Sequence, residues 1–394
     1  MEQSPRSLVN FDNTEIAFRN KSNAELNKAY WLFKIISSNF LTQVGPPITN
    51  FLLSKGFPIA GAIKATIFKQ FCGGETILEC EKTISQLHKA KVGTILDYSV
   101  EGEEEEEVFD FTCQEIIRTI EKGDGDERIP ITVFKVTGIA RFALLEKIDA
   151  KQALSSVESE EFERVKQRCE KICQTAFDRN VPVMIDAEET WIQKTIDVLA
   201  LEMMTKFNKQ KLIVYNTYQM YRHDKFADLQ ADYYIAKETG FILGVKIVRG
   251  AYMEKERKRA SEMGYPSPIQ ATKAATDKDY DDSIQFCLKN ITQIGFVCGT
   301  HNEESCRLLT ELMQQYQIPN NHPHVYFSQL LGMSDNLSFN LSDAGYNVAK
   351  YVPYGPIKAV MPYLFRRAQE NTSVAGQTGR ELSLINKEKA RRAI

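Results

Sequence analysis

The pattern of apolar and polar positions changes period repeatedly along the chain. From about Asp97 onward a short, nearly continuous apolar run gives way to a stretch with helical spacing, with polar or glycine-containing connections, and this theme recurs. The runs cover residues 92–100, 130–139, 181–189, 212–221, 242–253, 295–302, 325–333 and 347–355, eight in all. Continuous apolar character predicts strands buried on both faces, and alternation with helices predicts parallel pairing through crossovers. The fold class that follows is α/β, a TIM-like (β/α)8 barrel over residues 91–375. Residues 1–90 carry helical periodicity in SNAELNKAYWLFKIIS and ETILECEKTISQLHKA, with a Gly/Pro-broken apolar stretch around 51–68. They are expected to form a helical region packed on the barrel, contact of that stretch with a membrane surface being the alternative. Residues 376–394 read as a C-terminal tail, and the acidic run EGEEEEE at 101–107 as a solvated, mobile loop without chemistry.

Composition narrows the class of function. A length of 394 residues suits one barrel of roughly 250 residues with an appended part. The chain is 43% hydrophobic and 26% charged and has no run of 18 apolar residues, so a spanning helix is not expected. With 49 basic and 52 acidic side chains, a net charge of −3 gives no sign of nucleic-acid binding. The eight cysteines are scattered, without CxxC pairs or histidines at zinc spacing, and read as reduced thiols with no metal site. Cys169 and Cys173 share a helical face, but two thiols make a poor metal set. The N-terminus has two early acids and neither an apolar h-region nor an Arg/Ser-rich amphipathic stretch. A cytoplasmic location is therefore expected, with peripheral attachment to the inner face of a membrane left open.

In such a barrel the chemistry sits where strands end and βα loops begin. The polar residues there are Asp97, Lys135, Asp186 with Glu188 and Glu189, Asn216 with Gln219, Lys246 with Arg249 and Tyr252, His301 with Asn302, Gln329, and Tyr351. Each alone reads equally as a capping or solvated residue; recurrence at the same end of eight strands points to a site. In the last unit Pro356 suits a first helical turn, and Tyr363, Arg366, Arg367 and Glu370 follow at i, i+3, i+4 and i+7, on one face. Ile357, Val360, Met361, Leu364 and Ala368 make the opposite, apolar stripe. The charged stripe is either a solvated face balanced by Glu370 or a grip on a substrate carboxylate, whose bidentate geometry suits arginine. Pro362 should bend or break this helix, tipping its polar face over the barrel mouth.

The segment KYVPYGPIKAVMPYLFRRAQENTSV resembles the closing strand and final helix of the proline dehydrogenase family. VMIDAEET, VYNTYQMY, GVKIVRGAYMEKERKRA, GTHNEES and FSQLLGM occur in the family's order, and the resemblance runs from Gly73 to Val374. The asparagine and threonine of YNTYQ, the lysine of GVKIVRG, and Pro362 resemble the eukaryotic-type monofunctional branch. The resemblance implies a distorted (β/α)8 barrel holding FAD, with the eighth helix over the mouth. It implies that Arg366 and Arg367 hold the proline carboxylate, that Tyr252, Leu330, Tyr351 and Tyr363 pack around the ring methylenes, and that Lys135, Asp186 and Glu370 line the pocket. Asn216 and Lys246 would lie near the isoalloxazine, and Arg249, Gly250, Lys273, Thr300, His301 and Asn302 along the rest of the flavin nucleotide.

The implied reaction is hydride transfer from C5 of L-proline to flavin N5, giving Δ1-pyrroline-5-carboxylate, the first step of proline catabolism towards glutamate. Electrons would then pass to a membrane quinone. Lys246 would favour negative charge on the reduced flavin. A tyrosine at 351 should crowd the hydroxyl of 4-hydroxyproline, so proline is the expected substrate over hydroxyproline. Rival readings are a lyase using Lys135 and Asp186 as a Schiff-base pair and a non-catalytic sensor. The length leaves no room for a second catalytic domain, so a monofunctional chain is expected.

Overall fold

Each of the eight apolar runs contains one strand: β1 Gly93–Tyr98, β2 Thr132–Phe134, β3 Val183–Ile185, β4 Val214–Gln219, β5 Leu243–Val248, β6 Ile294–Gly299, β7 Val325–Leu330 and β8 Val348–Tyr354. The computed structural model describes residues 9–36, 60–100, 104–373 and 377–394. Hydrogen-bonded order follows chain order, and the strands close a barrel. β1 pairs with β8 in parallel, from Gly93 opposite Ala349 to Tyr98 opposite Tyr354. From β2 to β7 each strand pairs in parallel with the next. Every residue of β4 and β8 is buried, as strands covered on both faces require.

The chain divides into two compact units, one of residues 100–328 and the other of residues 9–99 with 329–394. In the first, helices alternate with β2 to β6. The long helix Ser156–Arg179 starts at a capping box, in which Ser155 and Glu158 satisfy each other's backbone N–H, and ends at Asn180 in the left-handed region. Within the acidic run Glu104 and Glu105 are exposed and non-helical, as expected, but Glu106 and Glu107 are not loop. Glu106 opens the helix Glu106–Gly123, where negative charge complements the helix dipole, and it pairs with Arg164 at 2.8 Å and with Arg168. Residues 101–103 of the run lie outside the described residues.

In the second unit the helices Thr14–Phe18, Asn23–Ile36 and Ile77–Lys89 precede β1, as the N-terminal periodicity predicts. A helical stretch from Ala60–Ile63 through the π-turn Lys64–Phe68 to Lys69–Phe71 lies between them; residues 51–59 of the Gly/Pro-broken stretch lie outside the described residues. Phe18, Leu26, Phe33, Phe68 and Phe71 form one apolar cluster with Val360 and Leu364 of the helix Ile357–Ser373. Burying each such side chain contributes about 1.5–3 kcal/mol. The presumed C-terminal tail is the helix Gln377–Arg392, which adds Leu384 and Ile385 to this cluster. Arg392 ties it down by donating to the carbonyls of Phe18 and Lys21, each at 2.7 Å.

The helix Ile357–Ser373 continues through Pro362 without a break. Pro362 sits in its second turn with an exposed ring, so the loss of one backbone bond is outweighed by the buried stripe of Val360, Met361 and Leu364 on the other side.

Candidate active site

Three charged groups meet in the first unit where β2, β3 and β5 bring their polar residues together. Asp186 follows the last residue of β3, its N–H bonded to the carbonyl of Phe134 at 2.9 Å. Its carboxylate pairs with the Lys135 ammonium at 3.2 Å and accepts a hydrogen bond from Lys246 in β5. Asp186 and Lys246 are both buried. Burial pushes the Asp186 carboxyl up, but the ammonium groups of Lys246 and Lys135 outweigh it and hold the acid below the ordinary carboxylate range. The Asp186 carboxylate thus lies between two ammonium groups, in a setting where water screens their attraction little.

A second layer fixes the loops that carry this triad. Glu188, two residues beyond Asp186, accepts from the Thr137 N–H at 3.1 Å and from the Thr137 hydroxyl, two residues beyond Lys135. Its own N–H donates to Gln193 at 2.7 Å, and its carbonyl accepts from Gln219 at 2.9 Å. Asn216 belongs elsewhere. Its amide donates to Asp197 of the helix Thr190–Phe207 at 3.0 Å, and its oxygen accepts from the Thr217 N–H at 2.8 Å. Asp197 also receives Lys225 at 2.6 Å, so Asn216 stands in the layer between β4 and its helices rather than with the triad. Residues alternate across a strand, which sets Thr217 and Gln219 on the face opposite Asn216.

The remaining first-unit candidates gather after β5 and β6. Arg249 donates to Asp277 at 2.8 Å, to the Thr300 hydroxyl at 2.7 Å and to the Ser305 hydroxyl at 3.0 Å, while its guanidinium lies 4.3 Å from the Tyr280 ring centre. Lys273 opens the helix Lys273–Lys289 and pairs with the same Asp277, its side chain largely exposed. Asn302 caps the helix Glu303–Gln315 by accepting from the Ser305 N–H at 3.0 Å, and its own N–H donates to Thr300 at 3.1 Å. His301, half-buried, stands between these two. Gly250 has φ +132°, and a Cβ there would meet the Tyr221 ring at 2.4 Å, so its glycine is required by that ring. Tyr252, half-buried, precedes the helix Met253–Met263.

In the second unit Leu330 ends β7 and Tyr351 lies in the middle of β8, joined through the Leu331 N–H, which donates to the Tyr351 carbonyl at 2.8 Å. On the helix Ile357–Ser373, Tyr363 and Arg367 are both buried and Arg366 is half-buried. At Tyr363 and Arg367 the stripe is not a solvated face: the Arg367 guanidinium carbon lies 5.1 Å from the Tyr363 ring centre, one turn away. The Glu370 side chain lies outside the described residues. Lys350, Asp335 and Glu381 are buried charges that sequence reasoning did not single out. Lys350 lies within an apolar strand run, Asp335 in the first turn of the helix Asp335–Asp343, and Glu381 in the segment that reads as a tail.

A sequence model of the family described as Proline dehydrogenase matches residues 80–380. "Proline dehydrogenase 1, mitochondrial" of Dictyostelium discoideum is 33% identical over 96% of this chain and 74% of its own length. "Hydroxyproline dehydrogenase" of Xenopus laevis is 30% identical over 95% of this chain and 88% of its own. Among solved structures, proline utilization A from Bdellovibrio bacteriovorus, inactivated by N-propargylglycine, superposes with a TM-score of 0.72 at 22% identity, over 95% of this chain. That likeness is one of fold, and this chain spans 40% of that protein. The Dictyostelium relative is named as mitochondrial, as are relatives in Drosophila and human, which overturns the expected cytoplasmic location. Import receptors read an address segment that plays no part in barrel packing, so the fold-forming residues carry no trace of it.

Proposed function

We propose that this chain, which belongs to the proline dehydrogenase family and is an oxidoreductase of the CH–NH group of proline, converts L-proline to Δ1-pyrroline-5-carboxylate with FAD as its cofactor and a quinone as the onward electron acceptor. Among the described residues Arg249 and Lys273 share one carboxylate, Asp277, and with the Thr300 hydroxyl they would make a set that fits the phosphates of a dinucleotide cofactor. When bound, FAD supplies the acceptor for the hydride leaving C5 of proline. Lys246, a buried cation paired with Asp186, would favour negative charge on the reduced flavin.

The buried Arg367 on Tyr363, with Arg366 beside it, is the observation that carries the substrate assignment. Two planar forks on one helix turn suit the carboxylate of a small amino acid, whose bidentate geometry matches arginine. Leu330, Tyr351 and Tyr363 would then wall the apolar ring methylenes and exclude water from C5. The proposed location is mitochondrial, after the names of the relatives, and contact with a membrane surface would give access to the quinone.

Two other readings are weaker. A Schiff-base lyase needs a neutral lysine amine, whereas Lys135 is ion-paired with a carboxylate held in its charged form. Hydroxyproline oxidation is raised by the Xenopus relative, but Tyr351, buried in β8, leaves a hydroxyl little room. The test is optical. The purified protein should be yellow and should bleach anaerobically with proline; a colourless protein trapped by borohydride with a carbonyl substrate would mark the lyase instead.

A further inference from the structure

Leu330 and Tyr351, assigned above to the wall around the proline ring, are tied to the C-terminal helix through a buried charge network. Beyond Leu330 the chain makes a tight turn: the Met333 N–H donates to the Leu330 carbonyl at 3.3 Å, and Gly332 has φ +77°, with Gln70 donating to its carbonyl at 2.9 Å. Ser334 follows with φ +49°, a left-handed conformation that costs a side-chain-bearing residue about 1–2 kcal/mol. Glu381, buried on the helix Gln377–Arg392, accepts the Ser334 N–H at 2.6 Å and so holds this strained residue in place.

The next residue, Asp335, pairs with Lys350 at 2.9 Å and with Lys21 at 3.0 Å. Lys350 in turn donates to the carbonyls of Met333 at 2.6 Å and Leu330 at 3.4 Å. It also precedes Tyr351 in β8, so one ammonium group links the end of β7 to the strand that presents the tyrosine. Two buried acids and two lysines are an inefficient way to stabilise a fold, because apolar side chains of equal volume commonly do as well or better. What the network supplies is placement of the turn and of the two wall residues it joins.

We propose that Glu381 is a positioning residue for substrate recognition: by fixing Ser334 it sets the turn 331–334, and through it the position of Leu330 against Tyr351. The proposal rests on the reading of Leu330 and Tyr351 as the wall of a proline site. It places a determinant of substrate binding on the C-terminal helix, outside the strand-helix units of the barrel.

The experiment compares full-length wild type with Glu381→Ala, which removes the acceptor, and Glu381→Gln, whose side-chain oxygen still accepts the Ser334 N–H. Losing the hydrogen bond that holds the Ser334 N–H should raise KM for proline about tenfold in Glu381→Ala, with kcat within about twofold. Discrimination against trans-4-hydroxyproline should fall in the same variant, and Glu381→Gln should restore both. Wild-type KM and wild-type discrimination in an active Glu381→Ala enzyme would overturn the proposal, as would a fall in kcat alone. If Glu381→Ala does not fold, Lys21→Met takes its place. Lys21 lies at the edge of the network with its side chain about a quarter exposed; a raised KM supports the proposal and an unchanged one overturns it. A wild type that proline fails to reduce would instead overturn the proline dehydrogenase reading itself.

Discussion

The guanidinium carbon of Arg367 lies 5.1 Å from the ring centre of Tyr363, four residues earlier on the same helix, and both side chains are buried. The ring shields one face of the cation from water. Tyr363→Leu is expected to raise KM for proline by about tenfold, the equivalent of a desolvated cation–π contact of 1–2 kcal/mol, while Tyr363→Phe stays close to wild type. Steady-state kinetics on the two variants would check this, and equal KM values for both would show that the ring contributes only apolar bulk.

Asp186 separates two ammonium groups that would otherwise face each other in a buried setting. Asp186→Asn is expected to cost about 3 kcal/mol or more at pH 7, because it removes the carboxylate that pairs with both. The folded state lowers the Asp186 pKa from its ordinary 3.8, so the wild-type advantage is present above that pH and is lost as pH falls through the lower folded value. Urea unfolding of both proteins from pH 7 downward should show the gap narrowing below about pH 4. A gap independent of pH would mean the carboxylate charge is not what stabilises the triad.

Glu381 has the opposite sign. Burial, and then the neighbouring Asp335, push its carboxyl from 4.5 up to about 7, against the Ser334 N–H and the ammonium groups of Lys350 and Lys21. A raised carboxyl favours the folded state while protonated, and that stability is lost as pH rises from about 4.5 through 7. Glu381→Gln carries no charge to bury, so it should gain on wild type by on the order of 3 kcal/mol between pH 5 and pH 8. Melting curves at the two pH values test it; a difference that stays constant or shrinks contradicts the burial argument.

In the proposed site Tyr351 would set the space at the ring. Wild type is expected to favour L-proline over trans-4-hydroxyproline by at least about tenfold in kcat/KM, the scale of one poorly accommodated group, and Tyr351→Ser to narrow that ratio. Equal turnover of the two substrates by wild type would shift the reading towards hydroxyproline oxidation.

Much of this architecture is legible in the sequence because both-face burial writes long apolar runs, and each of the eight runs holds a strand. Lys135, Asp186 and Lys246 are legible one by one as polar residues at or near strand ends, but Lys350 interrupts an apolar run in the same way, so position alone does not say which charges meet. Asn216 is harder. A strand's period of two fixes which residues share a face but not which face turns inward, and Asn216 is found with Asp197 on the helix side. The segment 376–394 read as a tail from its charge, yet Leu384 and Ile385 suffice to bury one face of a helix. The Lys21, Asp335, Lys350 and Glu381 network joins residues up to 360 positions apart, and no local spacing announces such a meeting.

The central claim, that a flavin is reduced by proline held through Arg366 and Arg367, is tested most directly by anaerobic flavin reduction in wild type, Arg366→Met and Arg367→Met. Losing one bidentate, charge-assisted contact should raise half-saturating proline by about 100-fold in each variant, with the flavin still bound. Flavin reduction in both variants at the wild-type half-saturating concentration would contradict it.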